Sequence, residues 1–398
     1  MLLRQGETGH NSSTDPEPDM TDQDLHAHLI GRQGSRADLN TPVLVIDAPA
    51  LKRNIAEMAR FAASKGLQVR PHAKTHKSAD IAKLQIAAGA VGLCCAKLGE
   101  AEALAEGGVL KGLHITSPVV SPPAIARLAA LNLKVEAMMC VVDHPDNAAA
   151  LGEACAKAGK PLNVVIDIDP GIRRTGVASA EAAVALLAAI RAQPGLTYKG
   201  VQFYCGAQQH LEDFAARKAA MEDRAAYLRT VIAALTQAGG APEIVTGSGT
   251  GTHRIDADFG LFTELQVGSY LFMDAQYLAC GEIGPYETSL YIDARVVSAN
   301  AAQHTGVSPS APVRSWYSRV AMVSAARGEG IGPPRHRKRH GEKLLRHGQH
   351  QETEKQGEVI EDAREGVDRA GQRLVGNEAD RGRRDQDRQR VDAGAEAA

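Results

Sequence analysis

The sequence predicts an α/β fold: a (β/α)8 barrel of the TIM type, followed by an incomplete β domain and a charged, disordered tail. Three observations predict it. Between about residues 40 and 260, apolar β-branched runs of strand length alternate with alanine-rich runs of helical spacing, eight times over. Several strand runs are apolar on both faces, as strands covered by helices must be. The polar residues Lys74, Asp167, Asp169, Tyr204 and His210 and the loop 246–252 all fall at or just beyond strand C-terminal ends, where barrels carry their chemistry. A doubly wound open sheet has the same local alternation, so the pattern sets the class more tightly than the topology.

In order, TPVLVIDA (41–48) is read as the first strand, and its helix places Leu51, Ile55, Met58 and Phe61 on one face. LQVRPHAKTHKS (67–78) is the second strand, followed by a helix over 79–88 that Gly89 ends. AVGLCCAK (90–97), LKGLHITSP (110–118) and KVEAMMCVVD (134–143) are strands three to five. The helix after strand four starts at Pro122 and Pro123, where a missing N–H does no harm. LNVVIDID (162–169) is strand six, and Ser179 is the N-cap of its helix. YKGVQFYCGA (198–207) is strand seven, with a long helix over 211–238, and EIVTGSGTGT (243–252) is strand eight. ELQVGSYLFMD (264–274) and ETSLYIDARVVSA (287–299) then read as strands opening a second domain.

The organisation expected is a disordered leader over 1–39, the barrel over 40–260, the start of a β domain over 261–300 and a charged tail over 301–398. In the tail, strand periodicity stops and Arg, Gly and Ala take over, as translation of a GC-rich gene in a shifted frame would produce. The leader is too polar after Leu3 for a signal peptide, and no apolar run reaches membrane-spanning length. A formal net charge of −2 argues against nucleic acid or an anionic membrane as partner. The six cysteines show no CxxC or zinc-ligand spacing, which fits reduced thiols and a cytoplasmic location.

The chemistry centres on residues 67–78. Arg70, His72, Lys74, His76 and Lys77 crowd one strand end, at a cost unless an anion or covalent partner is present. A lysine among cations has its ammonium form disfavoured, and the neutral amine attacks an aldehyde to form a Schiff base. Pyridoxal 5'-phosphate, which carries an aldehyde and a phosphate, answers both facts. A solvated basic loop is the plainer reading of the same residues. TGSGTGT (246–252) offers backbone N–H groups to a phosphate, without the spacing of a dinucleotide or Walker loop. Asp167 and Asp169 are read as pairing with Arg173 and Arg174 or touching a cofactor, in preference to holding a metal.

RPHAKTHKS, CCAKLGEAEAL, IDIDPGIRRTGV, KGVQFYCGAQQH, TGSGTGT and ELQVGSY occur in an order that resembles D-threonine aldolases, D-3-hydroxyaspartate aldolases and eukaryotic-type D-serine dehydratases. These are pyridoxal phosphate enzymes with an alanine-racemase-like barrel. The resemblance covers about residues 40–299. It implies Lys74 as the lysine bonded to the cofactor and Tyr204 as the tyrosine beside its ring. It implies Thr250, Gly251, Gly268 and Ser269 as the phosphate cradle, with Arg174 near the ring. It further implies cleavage of a D-β-hydroxy amino acid to glycine and an aldehyde, or dehydration of the same substrate, and a homodimer. The family's divalent metal (Mn, Mg or Zn) is held by a His and a nearby Cys or Asp in a late motif with no counterpart after Ala299, where His336, His340, His347 and His350 lie in charged sequence. Loss of that motif would impair the lyase. A noncatalytic pyridoxal-phosphate-binding barrel is the rival reading.

Overall fold

The computed structural model describes residues 25–301 and 304–307. The first 24 residues and everything after 307, including the four tail histidines and the proposed frame shift, lie outside the described residues.

Eight parallel strands form one sheet: β2 (Gln68–Val69), β3 (Leu93–Cys95), β4 (Leu113–Ile115), β5 (Met139–Val142), β6 (Leu162–Asp167), β7 (Leu196–Phe203), β8 (Ile244–Gly247) and β9 (Glu264–Leu265), in the order β2-β9-β8-β7-β6-β5-β4-β3. The sheet curls back on itself, because the ends of that order meet in a parallel bridge between His72 and Cys94. The Cys94 N–H also donates to Pro71 O at 2.8 Å. The strand number matches the expectation, but the membership moves by one. The run at 41–48 forms β1 (Val43–Ile46) outside the barrel, paired antiparallel with β10 (Leu290–Asp293). The place it was assigned belongs to β9, the run read as opening the second domain, which pairs with both β2 and β8. Only Glu264 and Leu265 of that run are strand; Ser269–Leu271 turns into a 3-10 helix. Beyond β10, β11 (Val296–Ala301) and β12 (His304–Val307) form a separate hairpin. Within the predicted leader, Ala27–Leu29 and Ser35–Asp38 form 3-10 turns, Leu29 is buried, and Arg36 pairs with Asp293 at 2.5 Å.

The helices follow their sequence signals. α1 (Ala48–Ser64) is capped by the Asp47 carboxylate, which accepts from Ala50 N. It buries Leu51, Ile55 and Met58 as the spacing required. α2 (Ala79–Ala87) and α6 (Ala180–Arg191) are capped by Ser78 and Ser179, and α4 (Pro122–Lys134) begins at its two prolines. α3 (Leu98–Glu106), α5 (Pro145–Ala158) and α7 (Phe214–Gln237) complete the outer ring, with the short α8 (His253–Asp258) and α9 (Ala275–Ala279) after it. The main core lies between this ring and the sheet, where Leu104, Leu128, Leu151, Leu186 and Leu228 from the helices pack with Leu113, Ile115, Ile166 and Phe203 from the strands. None of the helices among the described residues is long and apolar enough to cross a membrane.

Candidate active site

Lys74 sits on a one-turn 3-10 helix, Ala73–Thr75, that follows β2 at its C-terminal end. His72 caps this turn, its Nδ1 accepting from Lys74 N at 3.4 Å, and its Nε2 lies 3.2 Å from Thr116 Oγ1. The Lys74 amine stands 5.3 Å from the centroid of the Tyr204 ring, and the Arg174 guanidinium carbon stands 5.8 Å from the same centroid. Burial lowers the Lys74 pKa from its ordinary value, and the Arg174 charge lowers it further. His72 is driven well below the usual histidine range, first by burial and then by the Lys74 charge, so it is a neutral imidazole.

The cationic crowd expected at this strand end is dispersed. Arg70 turns into the barrel and pairs with Glu264. His76 accepts from Ser78 N, and Lys77 points outward toward Glu100. Arg174 is the basic group that lowers the Lys74 pKa, and burial is the larger cause. The carboxylates also differ from expectation. Asp169 accepts from the N–H groups of Gly171 and Arg173, which shapes the loop after β6. Asp167 is buried and accepts from Gln202 Nε2 at 2.9 Å and Thr175 Oγ1 at 2.7 Å. Among the described residues neither carboxylate forms an ion pair with Arg173 or Arg174; Asp167 is taken up by Gln202 and Thr175, and Asp169 by the loop N–H groups.

The glycine-rich loop after β8 and the turn after β9 lie side by side. The Tyr270 N–H donates to Thr250 Oγ1 at 2.8 Å, and His72 N donates to Val267 O at 2.9 Å. Gly268 lies so close to the lysine turn that an added Cβ would stand 2.6 Å from Thr75 Oγ1. Ser248 takes a φ of 71°, the left-handed region that a non-glycine enters only when its surroundings impose it. The backbone N–H groups of Gly249, Thr250, Gly268 and Ser269 donate to no group among the described residues, whereas Gly251 N–H is spent on Gln209 Oε1. The hydroxyl of Ser269 bonds to Tyr277, whose ring lies 4.6 Å from that of His210, tilted by 40°. Thus Lys74, Tyr204 and Arg174 come together, and Thr250, Gly268 and Ser269 form an adjoining donor group.

Sequence reasoning missed the polar web inside the barrel. His114 Nε2 lies 3.0 Å from Gln202 Oε1, and Gln266 Nε2 donates to that same oxygen at 3.1 Å, so Gln202 links β4, β9 and Asp167 on β6. The available signal was a polar residue between two apolar neighbours at each place: His114 in LHI (113–115), Gln202 in VQF (201–203) and Gln266 in LQV (265–267). Burial lowers His114 to about 4 and raises Asp167 to about 6.

A family model described as the alanine racemase N-terminal domain matches residues 46–276. The chain belongs to that family. As a member of it, the chain is 40% identical over 279 residues to a 3-hydroxy-D-aspartate aldolase of Paracoccus denitrificans, spanning 68% of this chain and 72% of the relative. It superposes on the crystal structure of D-threonine aldolase from Filomicrobium marinum with a TM-score of 0.65 at 38% identity, over 67% of this chain and 72% of the other. A D-threo-3-hydroxyaspartate dehydratase of Delftia is 29% identical over 271 residues, 68% of this chain and 70% of the relative.

The family depends on pyridoxal phosphate, and the residues present suit it. A lysine biased to the neutral amine serves an aldehyde, a tyrosine ring stands beside that amine, and unspent N–H groups on the adjoining rim suit a phosphate. Among the described residues no group of three or more His, Cys, Asp or Glu side chains is placed to hold a metal ion.

Proposed function

We propose that this site cleaves D-β-hydroxy amino acids, D-threonine or 3-hydroxy-D-aspartate, into glycine and an aldehyde. The chain is a pyridoxal-phosphate-dependent lyase of the D-threonine aldolase type. The observation that carries the reading is the Lys74 amine, desolvated at a barrel strand end and 5.3 Å from the Tyr204 ring, in a barrel with this aldolase kinship.

Bound pyridoxal phosphate supplies an electron sink for the pair left on Cα when the Cα–Cβ bond breaks. In this assignment Lys74 would hold the cofactor through its amine, and Tyr204, whose ring stands 5.3 Å from that amine, would contact it. Thr250, Gly251, Gly268 and Ser269 cradle the phosphate, with Gly251 acting through the shape of the loop because its N–H is already engaged. Arg174 presents its charge over Tyr204, where it adds to burial in lowering the Lys74 pKa. A divalent metal would supply acidification of the β-hydroxyl, but no group among the described residues is placed to hold one, so no residue here is assigned to it. Small D-amino acids are the partners, the active form is a homodimer, and the location is cytoplasmic, in keeping with six free and buried cysteines.

The test is glycine release from D-threonine with added Mn2+, compared with Lys74→Ala. Glycine at wild-type level from the variant would refute the assignment. Release of ammonia and a keto acid instead would favour the dehydratase reading, which the Delftia relative supports. A cofactor absorbance band with no turnover would favour a noncatalytic cofactor-binding barrel.

A further inference from the structure

We propose that Gln209 is the positioning residue of the phosphate loop. Its carboxamide ties residues 249–252 to the segment after β7 and so presets the anion-binding array; the inference rests on the phosphate assignment above. Gln209 is fully buried. Its Oε1 accepts the Gly251 N–H at 2.9 Å, and its Nε2 donates to Thr252 Oγ1 at 2.9 Å and to Cys205 O at 3.1 Å. Thr252 Oγ1 in turn donates to the buried Asp256 Oδ2 at 2.6 Å, which anchors the far end of the loop in α8.

The glycines of the loop are shaped to this side chain. A Cβ on Gly249 would stand 2.4 Å from Gln209 Oε1, and one on Gly251 would stand 1.9 Å from Gln209 O. Two of the loop's glycines are therefore needed to let it lie flat on Gln209, quite apart from any ligand. Gln209 Oε1 and Nε2, Thr252 Oγ1 and Asp256 Oδ2 each have a partner within this buried set, where a partly broken network is costly. The Gly249 and Thr250 N–H groups, which the clamp leaves unspent, belong to the backbone that it holds. An array fixed before binding saves the ordering cost that a slack loop would incur when the anion arrives.

The experiment titrates apoprotein with pyridoxal phosphate and, separately, with pyridoxal, which lacks the phosphate. Wild type is compared with Gln209→Leu and with Thr252→Val, each followed by absorbance. The expected result is a loss of about tenfold or more in affinity for pyridoxal phosphate, with pyridoxal affinity changed by less than about twofold. Equal losses for both ligands, or no loss for either, would overturn the role of Gln209. Should Gln209→Leu not fold, Thr252→Val alone decides by the same criterion. If wild type itself binds pyridoxal as tightly as pyridoxal phosphate, the phosphate assignment falls and this inference with it.

Discussion

Arg70 and Glu264 face each other across the seam between β2 and β9, joined by hydrogen bonds of 2.9 and 2.6 Å with both side chains buried. Arg70 also donates to Gly112 O at 2.5 Å, so one guanidinium ties the second strand, the last barrel strand and the turn before β4. The pair fastens the strand that carries Lys74 to the strand that leads into Gly268 and Ser269. A buried pair of this kind adds little over a well-packed apolar pair, but breaking it leaves an uncompensated charge. Glu264→Gln is therefore expected to destabilise the barrel by about 3–5 kcal/mol, read as a fall in melting temperature, whereas Arg70→Met with Glu264→Leu loses less. A single substitution milder than the double would contradict this account.

Lys74 is expected to be the most reactive lysine toward aldehydes near neutral pH. Reductive labelling at low reagent with peptide mapping should mark Lys74 first. Arg174→Met removes a charge that disfavours the ammonium, so the Lys74 pKa rises and the labelling profile moves to higher pH. Lys74→Ala should reduce glycine release on the order of 10³-fold or more.

The Asp256 carboxyl is raised by burial from 3.8 to about 7. Because the folded state then holds a proton that the unfolded chain has lost, the stability from this group is fully present below 3.8 and is lost as pH rises through about 7. Asp167, raised to about 6, acts with the same sign. Asp256→Asn should flatten the fall of melting temperature with pH across this window, leaving the smaller share from Asp167. An unchanged slope in that variant would show Asp256 to be charged in the fold.

All six cysteines are free and buried, and burial raises the thiols, Cys140 to about 12 and Cys155 to about 11. A thiol reagent such as DTNB should label none of them in the native protein within minutes and all six after denaturation. Rapid native labelling would mean that the sheet interior opens readily.

The helices were legible because their signals are local. Asp47, Ser78, Ser179 and the Pro122–Pro123 pair each act within one turn, so the starts of α1, α2, α4 and α6 follow from neighbouring residues alone. Strand membership was less legible. TPVLVIDA and ELQVGSY have the same alternation, and nothing within either run says which neighbour it meets. The basic cluster misled for a related reason. Arg70 looks like part of an anion site in the sequence, yet its partner Glu264 is 194 residues away.

From its sequence alone this protein is determined as an alternating α/β chain with a lysine at residue 74 in a basic strand end and a glycine-rich turn at 246–252, because periodicity, caps and turn residues act over a few positions. Only the tertiary structure decided that β9, rather than β1, closes the barrel, that Gln202 and His114 share one interior web, and that burial more than neighbouring cations lowers the Lys74 pKa. The physical reason is range: strand pairing, desolvation and buried polar partners depend on residues tens to hundreds of positions apart, and a local pattern carries no record of which of them will meet.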